Sequence, residues 1–253
     1  ELDEVANALR TAAMERDLAT QERTEALREA EEANRSKDQF LAMLGHELRN
    51  PLAPIANAVQ LMGMKGDEST AQERRIIERQ LVHVTRLVDD LLDVSRITSG
   101  RLTLRRVPVR IAHVLEQVVD AIQPSLYQRT LTMVLDAGAR EAWVEGDEVR
   151  LAQVFNNLLV NAIKFTPPGG TIQVRGHRMD TGEVQVEVED SGIGIEPDEL
   201  NHIFELFYQA PQNADRARGG LGLGLSIVKS LVQMHGGRVR AASAGTGHGT
   251  CIT

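Results

Sequence analysis

Residues 40–52 read Phe-Leu-Ala-Met-Leu-Gly-His-Glu-Leu-Arg-Asn-Pro-Leu. Leu41, Leu44, Leu48, Leu52, Ile55 and Val59 step by three and four, which predicts an amphipathic helix running to about Met62. At 3.6 residues per turn, His46 points roughly 160° away from the mean direction of that stripe. Glu47 follows it and Asn50 lies one turn further on, so three polar groups share one face. Pro51 removes a backbone donor just past them and is expected to bend the helix. The stretch offers a titratable nucleophile, a carboxylate and an amide on an accessible surface.

Upstream, Val5, Ala12, Ala19, Ala26, Ala33 and Phe40 recur every seven residues, the spacing of a coiled-coil seam. Arg16, Arg23 and Lys37 weaken it, so a parallel dimer and a solvated single helix both stand as readings, and an imperfect seam suits a helix that changes register to carry a signal. Downstream, Gly63–Asp67 reads as a turn, and Ser69 with Gln72 as a capping box opening a second helix. Ile77, Leu81, Val84, Val88, Leu91 and Ser95 form its stripe, and Ser99-Gly100 its stop. Two such helices make an antiparallel hairpin that cannot bury both stripes alone, so dimerisation into a four-helix bundle is expected.

After Gly100 the pattern changes. Strands are expected at Leu102–Val109, Leu131–Leu135, Thr171–His177, Val184–Glu189 and Arg238–Ala242, with a hairpin turn at Asp180-Thr181-Gly182. Helices are expected at Ile111–Tyr127, Asp147–Phe165, Pro197–Phe204 and Leu223–His235. The interleaving predicts an α/β sandwich with a mixed sheet. Three segments follow: a signalling helix over 1–35, a helical hairpin over 36–101, and an α/β domain over 102–253.

Composition narrows the function. A formal charge of −8 with no basic stripe argues against nucleic-acid binding. One cysteine, Cys251, excludes an internal disulfide and a cysteine metal cluster, and fits a reducing, cytoplasmic setting. No apolar run approaches the ~18–20 residues that span a bilayer. The chain lacks an initiator Met and ends within a strand-like run, so it reads as a fragment of a longer protein. His113, His177, His202, His235 and His248 have no metal-ligand spacing, and His83, beside the seam of the second helix, reads as a structural or surface residue.

Three clusters in the second half converge on a nucleotide. Asn157, Asn161 and Lys164 recur at four and three on an otherwise apolar helix. Asparagine lowers helix propensity, so mere solvation does not account for it; its carbonyl suits Mg²⁺, and lysine suits phosphate. Asp190-Ser191-Gly192-Ile193-Gly194 follows a strand, where glycines allow close backbone approach and Asp190 can accept from an exocyclic amine. Gly219-Gly220-Leu221-Gly222-Leu223-Gly224 leads into a helix, where clustered amides make an anion site. It is neither a Walker loop nor a Rossmann fingerprint. The polar stretch Ala210–Arg218 before it reads as a lid.

With these residues in hand, the chain resembles the kinase core of bacterial two-component sensor histidine kinases from about Ser36 onward. Residues 40–54 resemble the H-box, 153–166 the N-box, 190–195 the G1 box, 203–208 the F-box and 220–224 the G2 box, with Gly247–Thr250 as the last nucleotide motif. The resemblance implies a Bergerat-type ATP-binding fold, ATP and Mg²⁺ as cofactors, and His46 Nε2 as phosphoacceptor. By the same resemblance Glu47 takes the Nδ1 proton, and Asn50 helps position a water in a phosphatase reaction. Asn161 would coordinate Mg²⁺, Asn157 and Lys164 would face the phosphates, and Phe165 would line the adenine pocket. Asp190, supported by Thr250, would bind the adenine amine beside Gly192 and Gly194, with Gly220, Gly222, Leu223 and Gly224 forming the phosphate loop. The implied partners are a second copy of the chain, a response-regulator receiver domain, and a sensor domain preceding the core.

Gly45 before His46, Leu221 in the G2 box and Cys251 near the end depart from the commonest family pattern, without removing a reactive group. Two other classes carry part of the pattern. A gyrase- or chaperone-type ATPase shares the nucleotide motifs but has no use for a His46-Glu47 hairpin. A non-catalytic scaffold would keep the fold without needing Asn161, Asp190 and the loop glycines.

Overall fold

The computed structural model describes residues 28, 44, 48–62, 70–129, 131–136, 142–209 and 221–253. His46, Glu47, Gly45, Gly220, the heptad positions of 1–35, the Gly63–Asp67 turn, Ser69 and the Ala210–Arg218 stretch lie outside the described residues. The chain forms two compact units, Glu1–Glu73 and Arg74–Thr253.

In the first unit, helix α1 is described over 48–62 and continues through Pro51. Its covered line runs Leu44, Leu48, Pro51, Ile55, Ala58, Met62, while Leu52 and Val59 are more than half exposed. This line is rotated by roughly 40° from the stripe read in the sequence. Helix α2 (Ala71–Thr98) begins in this unit and carries on into the second. Gly100 stops it at φ 65°: its N–H donates to the Ile97 carbonyl and that of Arg101 to Arg96, the paired bonds of a Schellman end. Leu81 and Val88 of the stripe read in the sequence stay exposed along α2, as does Leu92.

In the second unit, residues 101–106 have no regular structure, and the strand expected from Leu102 starts only at Val107. β1 (Val107–Arg110) pairs antiparallel with β3 (Trp143–Gly146), a strand too short to show in the sequence pattern. Between them lie helix α3 (Ile111–Arg129) and β2 (Thr132–Asp136). Helix α4 (Glu148–Phe165) follows, then β4 (Thr171–Arg178) and β5 (Val184–Asp190), joined by the expected hairpin turn. Helix α5 (Gly224–Met234) precedes β6 (Ala241–Ala242) and β7 (Thr250–Ile252).

The main sheet has the order β2-β4-β5-β7-β6, with β2 parallel to β4 and the other pairs antiparallel. Ile172, Val174, Val188 and Ile252 line its buried face, and α3, α4 and α5 supply Val114, Leu115, Leu159, Ile227 and Leu231 to the same core. The opposite face is polar, with Arg175 bonded to Gln173, Glu187 and Glu189. This is the expected α/β sandwich with a mixed sheet.

Two further expected elements differ. Over Pro197–Phe204 the chain forms successive turns instead of a helix, because its bonds close mainly over three residues: Glu199 to Glu196, His202 to Glu199, Glu205 to His202. The strand expected at Arg238–Ala242 shortens to Ala241–Ala242, although Arg240 and Thr253 still exchange backbone bonds at 2.8 and 2.9 Å.

Candidate functional site

Helix α4 organises the site, and its ends are fixed by its own sequence. Asp147 caps the start by accepting the Arg150 N–H at 3.2 Å. Thr166 closes the other end, its N–H and hydroxyl both donating to the Ala162 carbonyl. Leu151, Val154, Phe155, Leu158, Leu159, Ala162 and Ile163 turn one side into the core. Asn157 and Asn161 share the other side one turn apart, and Lys164 follows them with its ammonium 4.8 Å from the centre of the Phe165 ring.

Asn157 is 4% exposed. Its Oδ1 accepts from Arg86 Nη2 at 3.2 Å, while its Nδ2 is buried without a hydrogen-bond partner. A buried amide donor left over in this way suits an acceptor-rich ligand such as a phosphate. Gly224, the first residue of α5, faces both asparagines: a Cβ there would lie 3.8 Å from Asn161 Nδ2 and 4.0 Å from Asn157 Cγ. The start of α5 therefore lies against the asparagine side of α4.

At the far end of α4, Phe165 meets the loop after β5. Its carbonyl accepts the Ile193 N–H at 3.2 Å and lies 2.7 Å from where a Gly192 Cβ would be. Asp190 pairs with Ile172 and so faces the helices. Its Oδ1 accepts the Gly192 N–H at 2.8 Å. Burial pushes the Asp190 carboxyl above its ordinary value, with Glu189 adding to the effect; the backbone N–H groups of Gly192 and Thr250 pull the other way. Thr250 is the strand partner of Asp190 on β7.

Gly192 and Gly194 are expected to let the backbone approach a flat ligand closely, and Gly222 to present its amide to an anion. In the structure their space is taken by the chain itself: the Phe165 carbonyl and Asp190 carboxylate at Gly192, and the Gly245 carbonyl at Gly194. At Gly222 (φ 68°) a Cβ would lie 2.6 Å from the Tyr208 carbonyl oxygen. Phe207 itself has φ 65°, a left-handed conformation costly for a bulky residue, beside this contact. Leu223 is buried and serves as the N-cap position of α5 without a side-chain bond.

Of the expected site residues, the structure brings Asn157, Asn161 and Gly224 together at the middle of α4, and Phe165, Asp190, Gly192 and Thr250 at its end. Asn50 is exposed on α1 in the other unit. The sequence reading missed Arg86, whose partner lies far along the chain. It also missed Ser243, whose Oγ accepts the Ile195 N–H at 3.0 Å and donates to the Gly249 carbonyl at 2.6 Å, tying the two ends of the Asp190 region. Among the described residues no cluster of three His, Cys, Asp or Glu side chains could hold a metal. An Mg²⁺ ion would therefore rely on an asparagine carbonyl and on the substrate's phosphates, a common arrangement for that ion.

Comparison with known proteins agrees with this geometry. Residues 36–100 match the model of the His Kinase A (phospho-acceptor) domain. Residues 146–253 match that of the histidine kinase-, DNA gyrase B- and HSP90-like ATPases. The chain is 34% identical over 240 residues to the circadian input-output histidine kinase CikA of Synechococcus elongatus, covering 92% of this chain and 32% of that protein. It is 34% identical over 239 residues to the autoinducer 2 sensor kinase/phosphatase LuxQ of Vibrio parahaemolyticus, covering 89% of this chain and 27% of that protein. The chain thus spans about a third or less of the length of these relatives. Among solved structures, full-length ShkA in complex with AMPPNP has a TM-score of 0.64 at 29% identity, covering 85% of this chain and 44% of that one. No helix among the described residues is long and apolar enough to cross a membrane. A phosphoacceptor domain followed by an ATPase domain, matched in that order along most of the chain, places it in the family of sensor histidine kinases.

Proposed function

We propose that this chain is the catalytic core of a sensor kinase that transfers the γ-phosphoryl group of ATP to His46 and passes it to an aspartate of a response-regulator receiver domain. The observation that carries the reading is the alignment of α4 with two partners: the Asn157–Asn161–Gly224 cluster at its middle and the partly buried Asp190 carboxylate at its end. A nucleotide has the same polarity, with phosphates at one end and a base carrying an amine at the other. The upstream phosphoacceptor match then supplies the nucleophile that a gyrase-type ATPase lacks.

In this reading His46 Nε2 forms the new N–P bond as the γ-phosphorus bond to the ADP oxygen breaks, and the Nδ1 proton goes to Glu47. Mg²⁺, when bound, neutralises charge on the phosphates. Asn161 holds the cation through its carbonyl oxygen, Asn157 and Lys164 meet phosphate oxygens, and Gly220, Gly222, Leu223 and Gly224 present backbone to them. Asp190 accepts from the adenine amine, with Phe165 and Thr250 beside it. Phosphatase activity toward the regulator, with Asn50 and Glu47 orienting a water, is supported by the kinase/phosphatase name of the LuxQ relative. A homodimer is supported by Leu81, Val88 and Leu92, exposed along one helix. The working segments are 1–35, 36–101 and 102–253, with a sensor domain in the parent protein.

Incubation with γ-labelled ATP and Mg²⁺ tests the proposal. The expected product is an acid-labile, base-stable label that disappears in His46→Gln; a label surviving in that variant overturns the assignment. Asn161→Ala should abolish labelling while sedimentation still reports the dimer.

A further inference from the structure

Two backbone segments meet beside Asp190: residues 191–196, which follow β5, and residues 243–249, which join β6 to β7. The Gly247 N–H donates to the Ile193 carbonyl at 2.7 Å, and the Gly249 N–H to the Gly192 carbonyl at 3.1 Å. The Thr246 hydroxyl donates to the Glu196 carboxylate. Ser243, half-buried, adds the most concentrated tie. Its Oγ accepts the N–H groups of Ile195 at 3.0 Å and Gly245 at 3.3 Å. Its proton goes to the Gly249 carbonyl at 2.6 Å, well ahead of the Gly245 carbonyl at 3.4 Å. A serine hydroxyl has one donor and two acceptor sites, so this one is fully used.

The Gly249 carbonyl shares one peptide unit with the Thr250 N–H. That unit is trans, so its two ends point in opposite directions. The carbonyl reaches Ser243, and the N–H bonds the Asp190 carboxylate. A hydrogen bond at the carbonyl end polarises the amide and strengthens donation at the N–H end. The carboxylate's other backbone donor, the Gly192 N–H at 2.8 Å, belongs to the segment that the same hydroxyl holds at Ile195. One side chain thus fixes both donors that orient Asp190. Adenine carries an exocyclic amine where guanine carries a carbonyl oxygen. An ionised carboxylate accepts from the first and repels the second. We propose that Ser243 is a positioning residue for the choice of base, holding the Asp190 carboxylate through the Gly249–Thr250 peptide in the orientation that takes an amine and refuses a carbonyl. The proposal rests on the reading of Asp190 as the acceptor for the adenine amine.

The test is an equilibrium titration of the full chain, with Mg²⁺, using ribose-labelled fluorescent analogues of ATP and GTP that leave the base free. Ser243→Ala is expected to lower the preference for the ATP analogue by about fivefold or more. Ser243→Thr, which keeps the hydroxyl, should restore it. Thr246→Val removes the tie to Glu196 between the same two segments and should keep the preference of the parent chain. Where circular dichroism shows Ser243→Ala unfolded, Ser243→Cys is read in its place, being of similar size with a weakly donating thiol. Equal weakening of both analogues by Ser243→Ala makes the residue a structural tie only and overturns the proposal. An unchanged preference overturns it too, as does the same loss in Thr246→Val. A parent chain without preference, or Asp190→Asn with the full preference, instead removes the Asp190 reading and the proposal with it.

Discussion

Asp190 shows how one residue serves both the site and the stability of the fold. Its carboxylate is held above the ordinary range chiefly by burial. The folded state therefore binds its proton more tightly than the unfolded chain, and between the unfolded and folded pKa values stability falls as pH rises. Once the carboxyl is ionised, the full cost of burying that charge is present. Asp190→Asn should consequently melt at a higher temperature than the parent at pH 7, with the gap closing as pH falls through the folded pKa. The same substitution should weaken nucleotide binding by about tenfold or more, since the amide presents a donor as well as an acceptor where the adenine amine needs an acceptor. Calorimetry and analogue titration on one sample check both halves. Asp190, Asn157 and Asn161 were legible in the sequence because carboxylates and amides at helical or post-strand spacing have few other uses. Arg86 was not, because an arginine on an amphipathic helix is ordinary until its distant partner is known.

Element boundaries were readable wherever a cap fixed them. Asp147 starts α4, and Gly100 ends α2. Burial raises the Asp147 pKa, but the N–H groups of Arg105, Arg150 and Val149, with the charge of Arg150, outweigh it and hold it below the ordinary value. A depressed carboxylate contributes stability above its unfolded pKa and loses it as pH falls through the folded one. Asp147→Ala should cost about 1 kcal/mol at neutral pH, with a difference that shrinks in acid; denaturant melts at two pH values measure it. The same residue anchors a junction that the sequence did not reveal. The Asp147 N–H donates to His235 Nε2 at 3.0 Å, so Nδ1 carries the proton given to the Leu231 carbonyl at 2.7 Å. Arg105 N–H reaches Asp147 Oδ2, and Arg106 reaches the Met234 carbonyl. The connection after α2 is thereby fastened to the start of α4 and the end of α5. The failed helix at Pro197–Phe204 shows the opposite case: its polar spacing fits a helix, but only buried Ile203 anchors it firmly and the bonds tighten to three residues.

Across the whole molecule, the order of elements and the mixed sheet were legible because β-branched alternation and apolar helical stripes survive in any context. The pairing of β7 between β5 and β6 was not, since nothing in a three-residue strand specifies its neighbours. The proposed dimer belongs to this scale. Leu81 and Val88 are exposed in the single chain, so glutamate at both positions should leave each protomer folded. Sedimentation is expected to shift from dimer to monomer with unchanged circular dichroism; a persistent dimer places the seam elsewhere. The interior position of β7, between β5 and the edge strand β6, also orders events in time. Asp190 leaves the ribosome well before its strand partner Thr250, and non-local pairings of this kind form late. A growing chain therefore carries the Asp190 carboxylate without the strand that completes its surroundings. If Asp190 accepts from the adenine amine as proposed, a chain still lacking that strand should hold nucleotide less well than the finished one.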